Sequence, residues 1–98
     1  MSQLKKINTG LNQNFPNPFS DNTAISYVWD NNSKVELTIY NQTGQQIITL
    51  VKGYITKGKH IVTWQGTDKY GNAVPSGIYY YKLSTENKTI SKSAVLIK

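Results

Sequence analysis

Short apolar runs that alternate with polar residues, each closed by turn-forming residues, constrain this chain more than any other feature. Nowhere does a 3.6-residue apolar period persist long enough to specify a helix, so the sequence is committed to strands. A first run, 23–29, puts Ile25, Tyr27 and Trp29 on one face. A second, 34–41, turns Val35, Leu37 and Ile39 inward and Lys34, Glu36 and Thr38 outward. The run over 45–51, with Ile47, Ile48, Leu50 and Val51, is less regular. Over 59–65, His60, Val62 and Trp64 oppose Ile61 and Thr63, and over 78–84 Tyr79, Tyr81 and Leu83 share a face. A last run covers 89–97, and either 11–19 or 52–57 offers a seventh strand.

The punctuation agrees with that reading. Gly44, after Asn41-Gln42-Thr43, and Gly71, inside Asp68–Asn72, are natural sites for positive φ, and Asn87 is a candidate for the same conformation. Pro75-Ser76-Gly77 separates two runs, and Gly53 to Gly58 breaks the third from the fourth. In Phe15-Pro16-Asn17-Pro18-Phe19 the prolines block helix and favour extended neighbours. About seven short strands with turns at intervals of about 8–12 residues predict an all-β, Ig-like sandwich of antiparallel strands in two sheets. Trp64, Leu37, Ile39 and Tyr81 are expected in its core, each contributing roughly 1.5–3 kcal/mol by area.

Composition narrows the function. Ninety-eight residues make one small domain, with little room for an elaborated pocket. With no cysteine and one histidine, the chain has no disulfide, no thiolate site and no multi-histidine metal cluster. Charged residues are 16%, while Asn, Thr, Ser and Gln are plentiful, the balance of an extracellular β-rich module. All eleven cations are lysines, spread along the chain, and none is the arginine that reads phosphate or guanine by a bidentate fork. The net charge of +6 therefore reads as a solvated, aggregation-resistant surface, with no nucleic-acid partner expected. No apolar run reaches the roughly 20 residues of a membrane-spanning helix. No secretory leader is visible behind Met1, so residues 1–10 are expected to be an added start and a linker to an upstream cargo.

No constellation of catalytic groups emerges, and no cofactor or metal is expected. His60 lies on an inward-facing strand position, where a packed, hydrogen-bonded ring is expected. The five acids, Asp21, Asp30, Glu36, Asp68 and Glu86, are scattered over turns and outward positions with no pairing for acid–base work. Asp68-Lys-Tyr-Gly-Asn72 lacks the alternating oxygen donors of a calcium loop and reads as a turn held by Asp68 and Asn72. Three Asn-x-Ser/Thr sequons, at Asn31, Asn41 and Asn87, match chance in so polar a chain. Tyr70 and Tyr80 are candidates for a surface that stacks on carbohydrate or peptide, against a plain sheet face covered by lysine stems.

The last run is the most informative. Ser91-Lys92-Ser93 gives way to Ala94-Val95-Leu96-Ile97 and Lys98, four apolar residues where alternation explains two. Two readings fit: a strand buried on both faces, or a strand that a partner grips by edge addition, with Lys98 as a charged end to recognise.

These residues also carry a family likeness. Asn14-Phe-Pro-Asn-Pro-Phe-Ser20 with Thr23-Ala-Ile-Ser-Tyr27 resembles the opening of type A C-terminal sorting domains of the type IX (Por) secretion system. The likeness continues through Val35–Asn41, Gly44-Gln45, Gly58–Asp68 and Gly71–Val74, then Ser76–Leu83 and Lys92–Lys98. Trp64, Gly66, Asp68, Gly71, Gly77 and Tyr79 fall in a pattern shared with the Ig-like modules of flagellar hook-cap proteins. Pro16, Asn17, Pro18 and Phe19, together with the closing strand, are the more specific part.

The resemblance implies that residues 11–98 form a non-catalytic sorting domain. Such a domain directs an N-terminally fused cargo from the periplasm across the outer membrane to the cell surface or medium. An outer-membrane translocon would recognise it mainly through Lys92, Ser93, Ala94, Val95, Leu96, Ile97 and Lys98. A sortase-like enzyme would then cut within or before residues 1–13. Ser93 and Ala94 depart from the family, which often has a basic residue and a larger apolar one there. The alternative reading is an Ig-like spacer or a carbohydrate-binding accessory module of a secreted enzyme.

Overall fold

The computed structural model describes residues 10–98, and the expected linker over 1–10 lies almost wholly outside them. Seven strands follow in chain order: β1 (Gly10–Leu11), β2 (Thr23–Trp29), β3 (Ser33–Tyr40), β4 (Gln46–Ile55), β5 (Gly58–Trp64), β6 (Gly77–Ser84) and β7 (Thr89–Leu96). They form a three-stranded sheet, β1-β2-β5, and a four-stranded sheet, β4-β3-β6-β7, with every strand pair antiparallel. This is the predicted sandwich of about seven strands.

Alternation decides which side chains meet between the sheets. Ile25, Tyr27 and Trp29 from β2, Val35, Leu37 and Ile39 from β3, and Tyr79, Tyr81 and Leu83 from β6 are all buried there. Trp64 closes one end, with Tyr79 edge-on at 5.2 Å and Phe19 tilted at 5.4 Å between ring centroids. Its indole N–H donates to the Thr67 carbonyl at 2.9 Å, so the ring is buried with its polar atom satisfied.

Three local readings need correction. β4 does not stop at residue 51 but continues through Gly53 to Ile55, and register shifts against β3 explain its irregular pattern. Thr38 faces outward as expected, yet it is buried on that face. It sits between its cross-strand partners Thr49 and Lys82, and its hydroxyl lies 3.2 Å from that of Thr49. Asn87 does not take the left-handed conformation. Thr85 holds that turn instead, its N–H on the Lys88 carbonyl and its hydroxyl oxygen accepting from the Asn87 and Lys88 N–H groups.

The segment before β2 shows how the chain bridges the two sheets. Asn12 and Phe15 continue beside β2, through the Asn12 N–H on Ser26 and reciprocal bonds between Phe15 and Ala24. Four residues later Phe19 pairs in parallel with Leu96 on β7, in the other sheet. A strand that changes sheets in this way closes the open side of a sandwich. At the crossing, Asn14 is buried and fully bonded: its side-chain N–H groups reach Thr23 Oγ1 and the Pro16 carbonyl, and its oxygen accepts from Gln13. Tyr81 completes the knot, its hydroxyl accepting from the Asn14 N–H and donating to the Asn12 carbonyl.

Candidate recognition surface

The last strand is an edge strand, and its two faces differ. Ala94 and Leu96 point into the core at 1% exposure each, and Lys92 is half-buried on the same side. Ser93, Val95 and Ile97 alternate to the outer face, where Ile97 is 54% exposed. Neither sequence reading of this strand holds whole. It is not buried on both faces, and two of its seven candidate recognition residues, Ala94 and Leu96, are sealed in the core.

Its outer edge, from Ser93 on, is not open either. The Ser93 carbonyl accepts from Gln13 Nε2 at 2.7 Å, and the Val95 N–H donates to Asn17 Oδ1 at 2.9 Å. The Val95 carbonyl accepts from the Phe19 N–H, and the Ile97 N–H donates to the Phe19 carbonyl, both at 2.9 Å. Phe19 itself is buried against Trp64, and Gly66 lies beneath it. Gly66 has φ +67°, and a Cβ there would stand 3.6 Å from Leu96 and 3.7 Å from Phe19. The segment Gln13–Phe19 is thus a strap along the last strand, with Pro16, Asn17 and Pro18 exposed on it. Beyond the strand, the Lys98 N–H donates to Ser76 Oγ at 3.0 Å, which fixes the chain beside the start of β6.

On the outer face, Val95 lies directly across from Ile78, and Ser93 from Tyr80. Ile78 and Tyr80 are 38% and 42% exposed, opposite in alternation to the buried Tyr79 and Tyr81. Tyr40 is the next neighbour of Tyr80, on β3, with Lys82 Nζ 4.9 Å above its ring. Sequence reasoning singled out Tyr80 but not Ile78. The signal was there, because the period that buries Tyr79 and Tyr81 must expose the residues between them.

The other motif residues are structural. Asp68 Oδ1 accepts from the Tyr70 and Asn72 N–H groups, and the Asp68 N–H bonds the Asn72 carbonyl, with Gly71 at φ +86°. That is the expected hydrogen-bonded turn. Gly44 also has φ +86°, in a turn gathered on Asn41 Oδ1. Gly77 opens β6, and the Tyr79 hydroxyl donates to the Pro75 carbonyl. His60 stacks on Tyr27 at 5.4 Å and its Nε2 donates to the Thr56 carbonyl at 2.7 Å, the packed ring expected of it. Tyr70 stands on the loop between β5 and β6, apart from Tyr80 on the sheet face. A polar cleft of about 510 Å³, lined by Asn31, Lys34, Tyr54, Glu86 and Asn87, opens at the far end of the sandwich. It contains none of the expected recognition residues.

Residues 19–89, about three-quarters of the chain, match the FlgD Ig-like domain. The chain belongs to that family. This Ig-like domain is 37% identical over 54 residues to the basal-body rod modification protein FlgD of Escherichia coli K12. That match covers 55% of this chain, which spans only about a quarter (23%) of the curated relative. Among solved structures, it is similar to part of dimeric latent PorU from Porphyromonas gingivalis. The TM-score is 0.70 and the identity 23%, covering 87% of this chain and 9% of PorU. It is also similar to part of PorZ, described as an essential surface component of the type IX secretion system of the same bacterium. There the TM-score is 0.62 and the identity 18%, covering 88% of this chain and 11% of PorZ. At these identities the likeness to PorU and PorZ is one of fold.

Proposed function

We propose that this Ig-like domain is a non-catalytic sorting module that directs an attached cargo across the outer membrane by the type IX route. A translocon component would recognise it through the last strand, and a sortase-like component would act upstream of the sandwich. One observation carries the reading. Two segments at the ends of and beyond the matched interval 19–89, the strap Gln13–Phe19 and the last part of the closing strand, are hydrogen-bonded to one another. They also carry the more specific part of the likeness to type IX sorting domains, Ser93 and Ala94 apart, so those motifs form one structural unit on a common Ig-like frame. The fold likeness to parts of PorU and PorZ is further support.

Membership of the FlgD Ig-like family favours a second reading, a structural spacer within a larger assembly or secreted protein. The two diverge on the last strand. In a type IX-competent cell, deleting Ala94–Lys98 from a reporter fusion should leave the reporter in the periplasm. Adding a short Gly-Ser tail after Lys98 of the intact domain should reduce export without lowering the melting temperature. Full export of both variants sinks the sorting reading and leaves the spacer.

A further inference from the structure

We infer that recognition uses the outer face of the four-stranded sheet, and not the backbone edge of the last strand, against an apolar protein surface rimmed by carboxylates. This inference rests on the sorting reading above and names the partner chemistry of the same site. The edge argument is direct. The Ser93 and Val95 carbonyls and the Val95 and Ile97 N–H groups are held by Gln13, Asn17 and Phe19, so a strand added there must first displace the strap. The ring of Phe19, buried against Trp64, anchors that strap in the core. Edge addition would thus have to open part of the core before it made its first hydrogen bond.

The outer face needs no such rearrangement. Ile78, Tyr80, Val95 and Ile97 form an apolar patch across β6 and the end of β7, with Val95 directly across from Ile78. Exposed apolar side chains grouped in this way mark contact surfaces, whereas scattered ones do not. Aromatic and aliphatic anchors at the centre of a patch with charged groups at its rim are the anatomy of a protein interface. Lys82 borders the patch two residues from Tyr80 on the same face, and Lys98 follows Ile97 in the chain, cations that call for acidic groups on the partner.

Charge also disfavours a second copy as the occupant. Face-to-face packing would set these lysines against themselves on two domains that each carry +6. An anionic bilayer fits less well than a protein surface. Ile78, Tyr80 and Ile97 are only 38–54% exposed and Val95 is less so, and the most exposed aromatics, Phe15 and Tyr54 at 79% and 81%, lie outside the patch.

The test is export of the reporter fusion carrying Ile78→Ser with Ile97→Ser, beside Lys82→Glu with Lys98→Glu, each checked by a melt of the purified domain. Both pairs should melt like the parent. Removal of two central anchors should cut export about tenfold or more, and the charge reversal should cut it as well. Parental export with the serine pair overturns the outer-face assignment alone, and parental export with the glutamate pair overturns the acidic rim. A parent domain that fails to export the reporter overturns the sorting reading and this inference with it. Binding of the parent to vesicles of phosphatidylcholine with a quarter phosphatidylglycerol, lost in the serine pair, assigns the patch to a membrane instead. A dimer in sedimentation that the serine pair abolishes assigns it to a second copy.

Discussion

Trp64 is the side chain on which most of the molecule converges. It takes Tyr79 edge-on, Phe19 from the strap and the Thr67 carbonyl, and it is 1% exposed. Truncating a buried Trp costs about 3–5 kcal/mol, while small domains have only about 5–15 kcal/mol in all. Trp64→Ala should therefore remove a large share of the stability and lower the melting temperature by about 10 °C or more, and a cooperative melt near that of the parent would refute its central role. Its position was legible because His60, Val62 and Trp64 fall on one face of a period-2 run, as were Gly44 and Gly71 from their turn chemistry. Asn14 was not legible. A buried amide with partners at Thr23, Pro16 and Gln13 looks the same in sequence as any exposed asparagine, because what distinguishes it is closure of the fold around it.

Among the elements, the strap and the last strand form the pair that local patterning could not reveal. The prolines made 15–19 extended, but its partner lies 78 residues further along the chain, and period alone does not give a strand its neighbour. The same limit left the four apolar residues of the last strand undecided, since alternation and a covered edge together, and neither alone, account for them. If Asn17 holds the edge as described, Asn17→Ala removes the acceptor of the Val95 N–H. A lost hydrogen bond of about 1 kcal/mol corresponds to roughly a fivefold change in an opening equilibrium. Amide exchange at Val95 should rise by about that factor. Ala94 and Leu96, which are paired to Tyr79 and Gly77 on β6, should keep their protection. Equal protection of Val95 in both proteins would show that the strap does not close this edge.

For the whole molecule, strand number and the inward residues followed from the sequence, whereas the assignment of strands to sheets did not. The order β4-β3-β6-β7 beside β1-β2-β5 depends on contacts between distant segments, which turn signals do not encode. That assembly places three tyrosines, Tyr27, Tyr79 and Tyr81, between the sheets, and burial raises the pKa of each phenol. For Tyr81 the Asn14 N–H opposes the rise without reversing it. The sign of the consequence is fixed. In the unfolded chain a tyrosine releases its proton near its ordinary value of about 10, while the folded core retains it to higher pH. Above that value the unfolded state binds fewer protons than the native one, so stability falls as pH rises. The contribution is fully present below about pH 10 and is lost progressively above it. The melting temperature should therefore hold steady from neutral pH into the mildly alkaline range and drop beyond about pH 10. Tyrosinate absorbance from the buried phenols should appear together with loss of the β signal in far-ultraviolet circular dichroism. Ionisation of all seven tyrosines with the β signal intact would mean that the space between the sheets is open to water.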